Sequence, residues 1–516
     1  MNRKPALRAA FALAPALLLS ACASQTGKTA PVAPLVAAAP RQSLATADFL
    51  LLDRLTYGAT RADIESYRSL GRAAWINRQL HPGAIEPLPP PAQQLVDEMT
   101  LSQKPIAPLV RSLEGRRREI DKMAAGEERE AAHKKWQEEM NGLSREAASR
   151  AMLRALYAPS QVREQMTWFW MNHFNVVQHK HLNRALMGDY EQHLRGAALG
   201  RFRDLLEQSA RHAAMVSYLD NLQNAAGHIN ENYARELLEL HTMGVDGGYT
   251  QRDVQELARV LTGLGFEPGD AGGREKDPAR PLTVFRPARH EKGEKTILGT
   301  TIAPGGMDEI ERVLDLLARQ PATARHVSRQ LARYWIGDEP SDRLVDELAL
   351  EFRRSDGDIA SVLGRLFSSP EFQASLGKSF KDPVHYVVSA VRLAYGDRVI
   401  RNPQPMLGWL NRMGEGLYNH STPDGYPLQP VSWDGPGQLA LRLEIARAIG
   451  SGSAGLFRDP GEGKGERPAF PQLSNPLYFE AIEPHLAPAT REVLSQATSP
   501  QEWNQLLLSS PEFMVR

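Results

Sequence analysis

Between residues 160 and 177 the apolar side chains recur every three or four positions. Val162, Met166, Phe169, Trp170, Phe174 and Val177 share one helical face with His173, and Ser160 follows Pro159 where a helix N-cap belongs. A chain with this period must bury a stripe against other helices. The same period returns at 49–57, 64–70, 75–80, 187–194, 202–206, 215–219, 231–243 and 251–264, then at 308–317, 322–335, 341–353 and 358–367. Gly58, Gly71 and His81-Pro82-Gly83 stop the first three of these helices. Repeated strand alternation is missing. The pattern predicts a mainly α, multi-helical body with long Gly/Pro-rich loops at 422–437 and 450–471.

Two stretches depart from it. Residues 263–306 are rich in Gly and Pro and hold two β-like runs, 282–285 and 295–298, predicted to pair as one small β-hairpin around His290 and Gly293. A loop that long inside a helical body points to function. Residues 111–150 are densely charged with mixed sign. Glu114–Arg118 and Glu130–Lys134 stand in the favourable i,i+4 order, which predicts a solvated helical hairpin broken at Gly126. A short echo, Leu366 to Phe372 against Leu507 to Phe513, repeats a helix end, a Ser cap and a Pro at the first position of a new turn.

The start of the chain is of another kind. Arg3, Lys4 and Arg8 precede an apolar run, residues 9–19, that is too short to span a bilayer. Leu19-Ser20-Ala21-Cys22 follows, and Cys22 is the one cysteine of 516 residues. The sequence resembles a bacterial lipobox. This predicts a lipoprotein signal peptide over 1–21, acyl chains on Cys22 and an Ala/Pro-rich tether over 22–45, with the body running from 46 to 516. Several chains together give stable anchoring where one gives marginal binding. Ala23 and Ser24, in place of Asp, imply the outer membrane, facing the periplasm. With Cys22 modified, disulfides, thiol catalysis and Cys-ligated zinc are excluded. Loss of residues 1–21 leaves 58 basic against 61 acidic residues, a balance that argues against nucleic acid as a partner.

The segment Asn230-Glu231-Asn232-Tyr233-Ala234-Arg235-Glu236-Leu237-Leu238-Glu239-Leu240-His241-Thr242-Met243-Gly244-Val245 resembles the bacterial domain-of-unknown-function 1800 family. So do Leu55-Thr56-Tyr57-Gly58, Trp170-Met171-Asn172-His173-Phe174, Tyr218-Leu219-Asp220-Asn221 and Asp246-Gly247-Gly248-Tyr249-Thr250. His290, Lys295-Thr296 with Leu298-Gly299, and Pro423-Asp424-Gly425-Tyr426-Pro427 match too. The resemblance runs from about residue 48 to the end. It implies an exported protein and, as a partner, a second exported envelope protein with a sulfatase-like body. It carries over no activity, and it leaves cofactor and metal open. Glu291 stands where the family often has Asp, which weakens a metal-ligand role at this point.

Chemistry is sought first on the 231–243 helix. Asn232, Arg235, Glu236 and Glu239 fall on one face at i, i+3, i+4 and i+7, with Asn230 as N-cap and Gly244 as C-cap. They form either a surface ladder, Glu231–Arg235–Glu239, or the lining of a cleft in which Glu236 is a general base or metal ligand and to which His290 also reaches. His173, among aromatic neighbours, reads as a core residue, and His179 and His181 do not share a helix face. HExxH, GxSxG, Walker and dinucleotide-binding motifs are all missing. Two function classes follow: an envelope binding or assembly lipoprotein, favoured, and a periplasmic hydrolase using Glu236, Glu239 and His290, with its metal content open. The anchor is directly testable. Cys22→Ser is expected to move the folded protein from the membrane pellet to the soluble fraction, and a variant still pelleting after a salt wash would place the anchor elsewhere.

Overall fold

The computed structural model describes residues 44–83, 86–269, 280–396, 398–458 and 470–516. The expected signal peptide, Cys22 and the expected tether through residue 43 lie outside the described residues, as do 270–279 of the insertion and 459–469 of the second Gly/Pro-rich segment.

The expected helices are present, and the architecture is mainly α. Local chemistry starts many of them. Thr60 and Asp63 form a reciprocal capping box ahead of Arg61–Leu70, and Thr250 and Asp253 form another ahead of Gln251–Leu261. At the echoed motif Ser369 caps Pro370–Ser375 through the Phe372 amide, and Ser510 accepts the Phe513 amide in the same way. Ser160 sits at its N-cap position without a side-chain bond.

Gln161–His173 forms the middle of the core. The sequence shows one apolar face, yet nearly the whole helix is buried, Glu164 and Gln165 included. Burying such groups requires partners. Arg195, on the Asn183–Ala197 helix, supplies a salt bridge to Glu164 at 2.5 Å, and His385, on Pro383–Tyr395, meets Gln165 at 3.0 Å. The Trp170 indole donates to the Ala198 carbonyl at 2.9 Å, and Tyr190 donates to the Phe174 carbonyl at 2.8 Å.

The charged hairpin forms from Ile106–Lys122 and Glu127–Tyr157, broken at Gly126 as expected. It is solvated on one side only. Leu113, Ile120, Trp136, Met140 and Leu143 are buried, and the Trp136 indole donates to the Leu113 carbonyl at 3.0 Å. Glu114 is buried too, and it binds the half-exposed Arg118 at 2.8 Å and Arg117 at 2.9 Å at the edge of this inner face.

The insertion corrects the expected pairing. Among the described residues there are two antiparallel two-stranded sheets, not one hairpin of 282–285 with 295–298. β1 (Leu264–Phe266) pairs with β2 (Thr283–Phe285), and β3 (Lys295–Ile297) pairs with β4 (Thr300–Ile302). The tight turn at Leu298-Gly299, both with positive φ, folds the second run onto its own continuation.

The far ends of the body meet around buried arginines. Arg392 is fully enclosed and donates to the carbonyls of Gly58 at 2.9 Å and Leu156, and to Asp63 at 2.7 Å. It thus joins the first helices, the end of Glu127–Tyr157 and Pro383–Tyr395. Arg392→Met keeps most of the stem and orphans these acceptors. It is expected to destabilise the fold by about 3–5 kcal/mol in denaturant melts, and a loss under about 1 kcal/mol would contradict this role.

Candidate functional site

The helix that carries the longest family-like segment is shorter than its sequence suggests. It runs over Asn232–Glu239 and then unwinds through bonds of longer reach, from His241 N to Glu236 O and from Met243 N to Leu238 O. Asn230 caps the start through its Oδ1, which accepts the Asn232 amide, and Gly244 lies beyond the exit with positive φ. The exit leaves carbonyls without helical partners. Two imidazoles satisfy them: His173 Nε2 donates to His241 O at 3.2 Å, and His326 Nε2 donates to Leu240 O at 3.3 Å. His173 is thus neither a plain core residue nor isolated. Its ring centroid lies 6.5 Å from that of His241 and 6.1 Å from that of His326.

A second segment closes on this point. The Asn172 side chain donates to Tyr426 O at 2.9 Å and accepts the Tyr426 amide at 2.6 Å. Gly425 has φ +74°, and a Cβ there would collide with the Asn172 carbonyl oxygen, so only glycine fits. Tyr218 donates to Ser421 O at 2.8 Å and holds the other end of the loop. Between loop and helices lies an open cleft of about 390 Å³. His173, His326 and Arg333 line it on one side, and His420, Thr422 and Asp424 on the other.

Its electrostatics are uneven. Burial pushes Glu236 above the usual carboxylate range, with help from Glu239 and Asp424 and against Arg235. Asp424 moves the opposite way: burial alone would raise it, but hydrogen bonds from Thr422 and His420 hold it low. Tyr218 is pushed up to about 12 by burial and then by Glu236 and Asp424. Burial, reinforced by His326, takes His241 down to about 3, and burial with His326 and His241 keeps His173 far below its ordinary value. These imidazoles are neutral at physiological pH, so they do not offset the acids.

The residues proposed from sequence divide into two places. Neither Glu236 nor Glu239 lines the cleft; Glu236 feels the Asp424 carboxylate of its wall, Glu239 accepts from Tyr249 at 3.4 Å, and Arg235 binds Glu231 at 3.1 Å and Gln251 at 2.9 Å. The surface ladder therefore exists over its first rung. Asn232 is exposed and ties the helix start to the Leu219 carbonyl at 3.2 Å. His290 bonds elsewhere. It is buried; its Nδ1 donates to Thr262 O at 2.8 Å, and its Nε2 meets Glu309 at 3.1 Å and Lys295 at 3.3 Å. Lys295 and Glu309, 2.6 Å apart, are themselves buried, and Glu309 also accepts the Gly305 and Gly306 amides. This closed network joins β3 to the Met307–Ala318 helix and is a structural staple. Asn172, His326, Arg333, His420 and Asp424 received no role from sequence reasoning. The stretches around Asn172 and Asp424 carried a signal as family-like motifs, but His326 and Arg333 carried none.

Among the described residues, potential metal-ligand atoms cluster at one place. Asp189, His193 and His212 place ligand atoms within 4.8 Å of one another. His212 Nδ1, however, accepts the Ala214 amide at 3.1 Å, so in the neutral ring Nε2 carries the proton and donates to Asp189 at 3.1 Å. That trio is a cap and its support.

The stretches gathered at the cleft are those that suggested a family. The chain belongs to the family described as "Protein of unknown function (DUF1800)", whose sequence model matches residues 50–515. No curated protein and no solved structure matches the chain significantly. In this DUF1800 chain the motifs around Asn172, Tyr218, Glu236 and Asp424 meet in space. A carboxylate with raised pKa lowers stability as it ionises. Below about pH 4.5 Glu236 is protonated folded or unfolded and carries no penalty; as pH rises through its folded pKa the penalty grows. Glu236→Gln is therefore expected to melt like the parent in acid and higher than the parent at neutral pH. The opposite order would contradict the assigned environment.

Proposed function

We propose that this DUF1800 protein is a lipoprotein of the bacterial cell envelope, held by acyl chains on Cys22 on the periplasmic side of the outer membrane, and that it is a binding or assembly factor working through the cleft. The observation that supports the working site is the meeting of four family-like motifs around one open, polar space. Glu239 and Asp424 each repel the Glu236 carboxylate, and burial keeps the wall residues His173 and His326 neutral. A ligand bringing positive charge relieves that repulsion. An exported envelope protein is the partner class that fits the location.

Hydrolysis is the second reading, favoured by the opposite shifts of Glu236 and Asp424. Acids pushed apart in pKa suit a general acid and a general base. The reaction would use water directly. His420 Nε2 faces both Thr422 Oγ1, at 3.0 Å, and Asp424 Oδ1, at 3.3 Å, whereas a nucleophile relay needs the two ring nitrogens on different partners.

The test is replacement of the native gene by Glu236→Gln or Asp424→Asn. Glu236→Gln is expected to melt above the parent at neutral pH and Asp424→Asn below it, both remaining folded, and both are expected to fail to restore the deletion phenotype. If both restore it, the cleft is not the working site. Metal analysis of the purified protein separates the two readings: the binding reading expects no stoichiometric divalent ion, and one such ion, lost in Glu236→Gln, would favour the hydrolase.

A further inference from the structure

Away from the cleft, the first helix, Thr46–Leu55, and the last turns of the chain enclose a separate cavity of about 480 Å³. That volume lies within the range of small-molecule sites. Leu50, Leu376, Leu393, Leu507 and Phe513 give it a mostly apolar wall. Charged groups interrupt the wall: Lys381, Asp53 and His485, with the exposed Lys378 and the half-buried Glu512 also lining it. Lys381 is buried, yet its ammonium stands 3.8 Å from the Asp53 carboxylate, too far for a short hydrogen bond, and rests 4.2 Å from the centre of the Phe513 ring. Asp53 is also shared electrostatically with the buried Arg54. His485 stacks on Phe49 at 4.9 Å, and its buried Nε2 has no hydrogen-bond partner. A buried polar atom without a partner is rare and costly, and this one belongs to a ring that lines the cavity.

We propose that this cavity binds a single-chain fatty acid, with the acyl chain against the leucines and the carboxylate between Lys381 and His485. The apolar wall selects a hydrocarbon chain. A carboxylate accepts from both an ammonium and an imidazole N–H, which satisfies the two under-partnered groups together. A buried ammonium beside Asp53, with the Glu512 carboxylate also on the wall, suits a monoanion and does not suit a phosphate dianion. The site is independent of the cleft and of the function proposed for it.

The experiment uses the full chain carrying Cys22→Ser, so that no attached acyl chain competes, with radiolabelled palmitate and hexadecanol as probes in detergent-free buffer. One palmitate per chain is expected, bound at least tenfold more tightly than hexadecanol. Lys381→Met is expected to remove that preference while retaining hexadecanol. Ala59→Phe, which fills the cavity from its wall, is expected to abolish both. No palmitate binding, equal binding of the two probes by the parent, or unchanged binding in Ala59→Phe would each overturn the proposal. Should Lys381→Met fail to fold, the parent's preference and Ala59→Phe decide it alone.

Discussion

The cleft depends on one side chain. Asn172 stands near the end of the central helix and exchanges two hydrogen bonds with the backbone of Tyr426, as a neighbouring strand would. Each such bond contributes about 1 kcal/mol net, but their geometric effect is larger than that sum. They fix a loop without regular structure at one height above the core. Gly425 permits the approach, because any side chain there would strike the same residue. Asp424 and His420 take their places from this docking. Without it Glu236 would lose Asp424, one of the two carboxylates that raise its pKa.

Beneath the loop, the early unwinding of the Asn232–Glu239 helix has a matching consequence. Two carbonyls freed at the helix exit must be satisfied, and they are met by His173 and His326. This fixes the rings with their Nε2 protons committed to the backbone. Burial then keeps both rings neutral. A cleft walled by the neutral rings of His173 and His326 and by an Arg333 held by Glu339 at 2.6 Å, with Asp424 opposite them and Glu236 within the field of that carboxylate, suits a cationic ligand or proton transfer. Its character follows from helix termination as much as from the acids.

Much of the fold was legible because its causes are local. The capping boxes at Thr60 and Thr250 and the 3.6-residue period need only neighbouring residues to form. The strand pairing was misread because the turn at Leu298-Gly299 competes with the longer connection across His290, and the nearer partner wins. Glu164 and Gln165 look solvent-facing in sequence, since Arg195 and His385, which allow their burial, are remote in the chain. His290 misled for the same reason. Its polar neighbours suggest an exposed loop, but Lys295 and Glu309 draw it inward into a filled network. Glu236 was found from helix geometry, whereas Asp424, its counterpart, is brought near only by tertiary docking.

The docking is therefore the element to measure. Hydrogen exchange followed by mass spectrometry, comparing the parent with Asn172→Ala, reads it directly. The account predicts slow exchange across residues 420–427 in the parent. In the variant it predicts fast exchange there, with residues 161–171 of the central helix still protected. Equal exchange of the loop in both proteins, whether slow or fast, would contradict the claim that Asn172 builds the cleft.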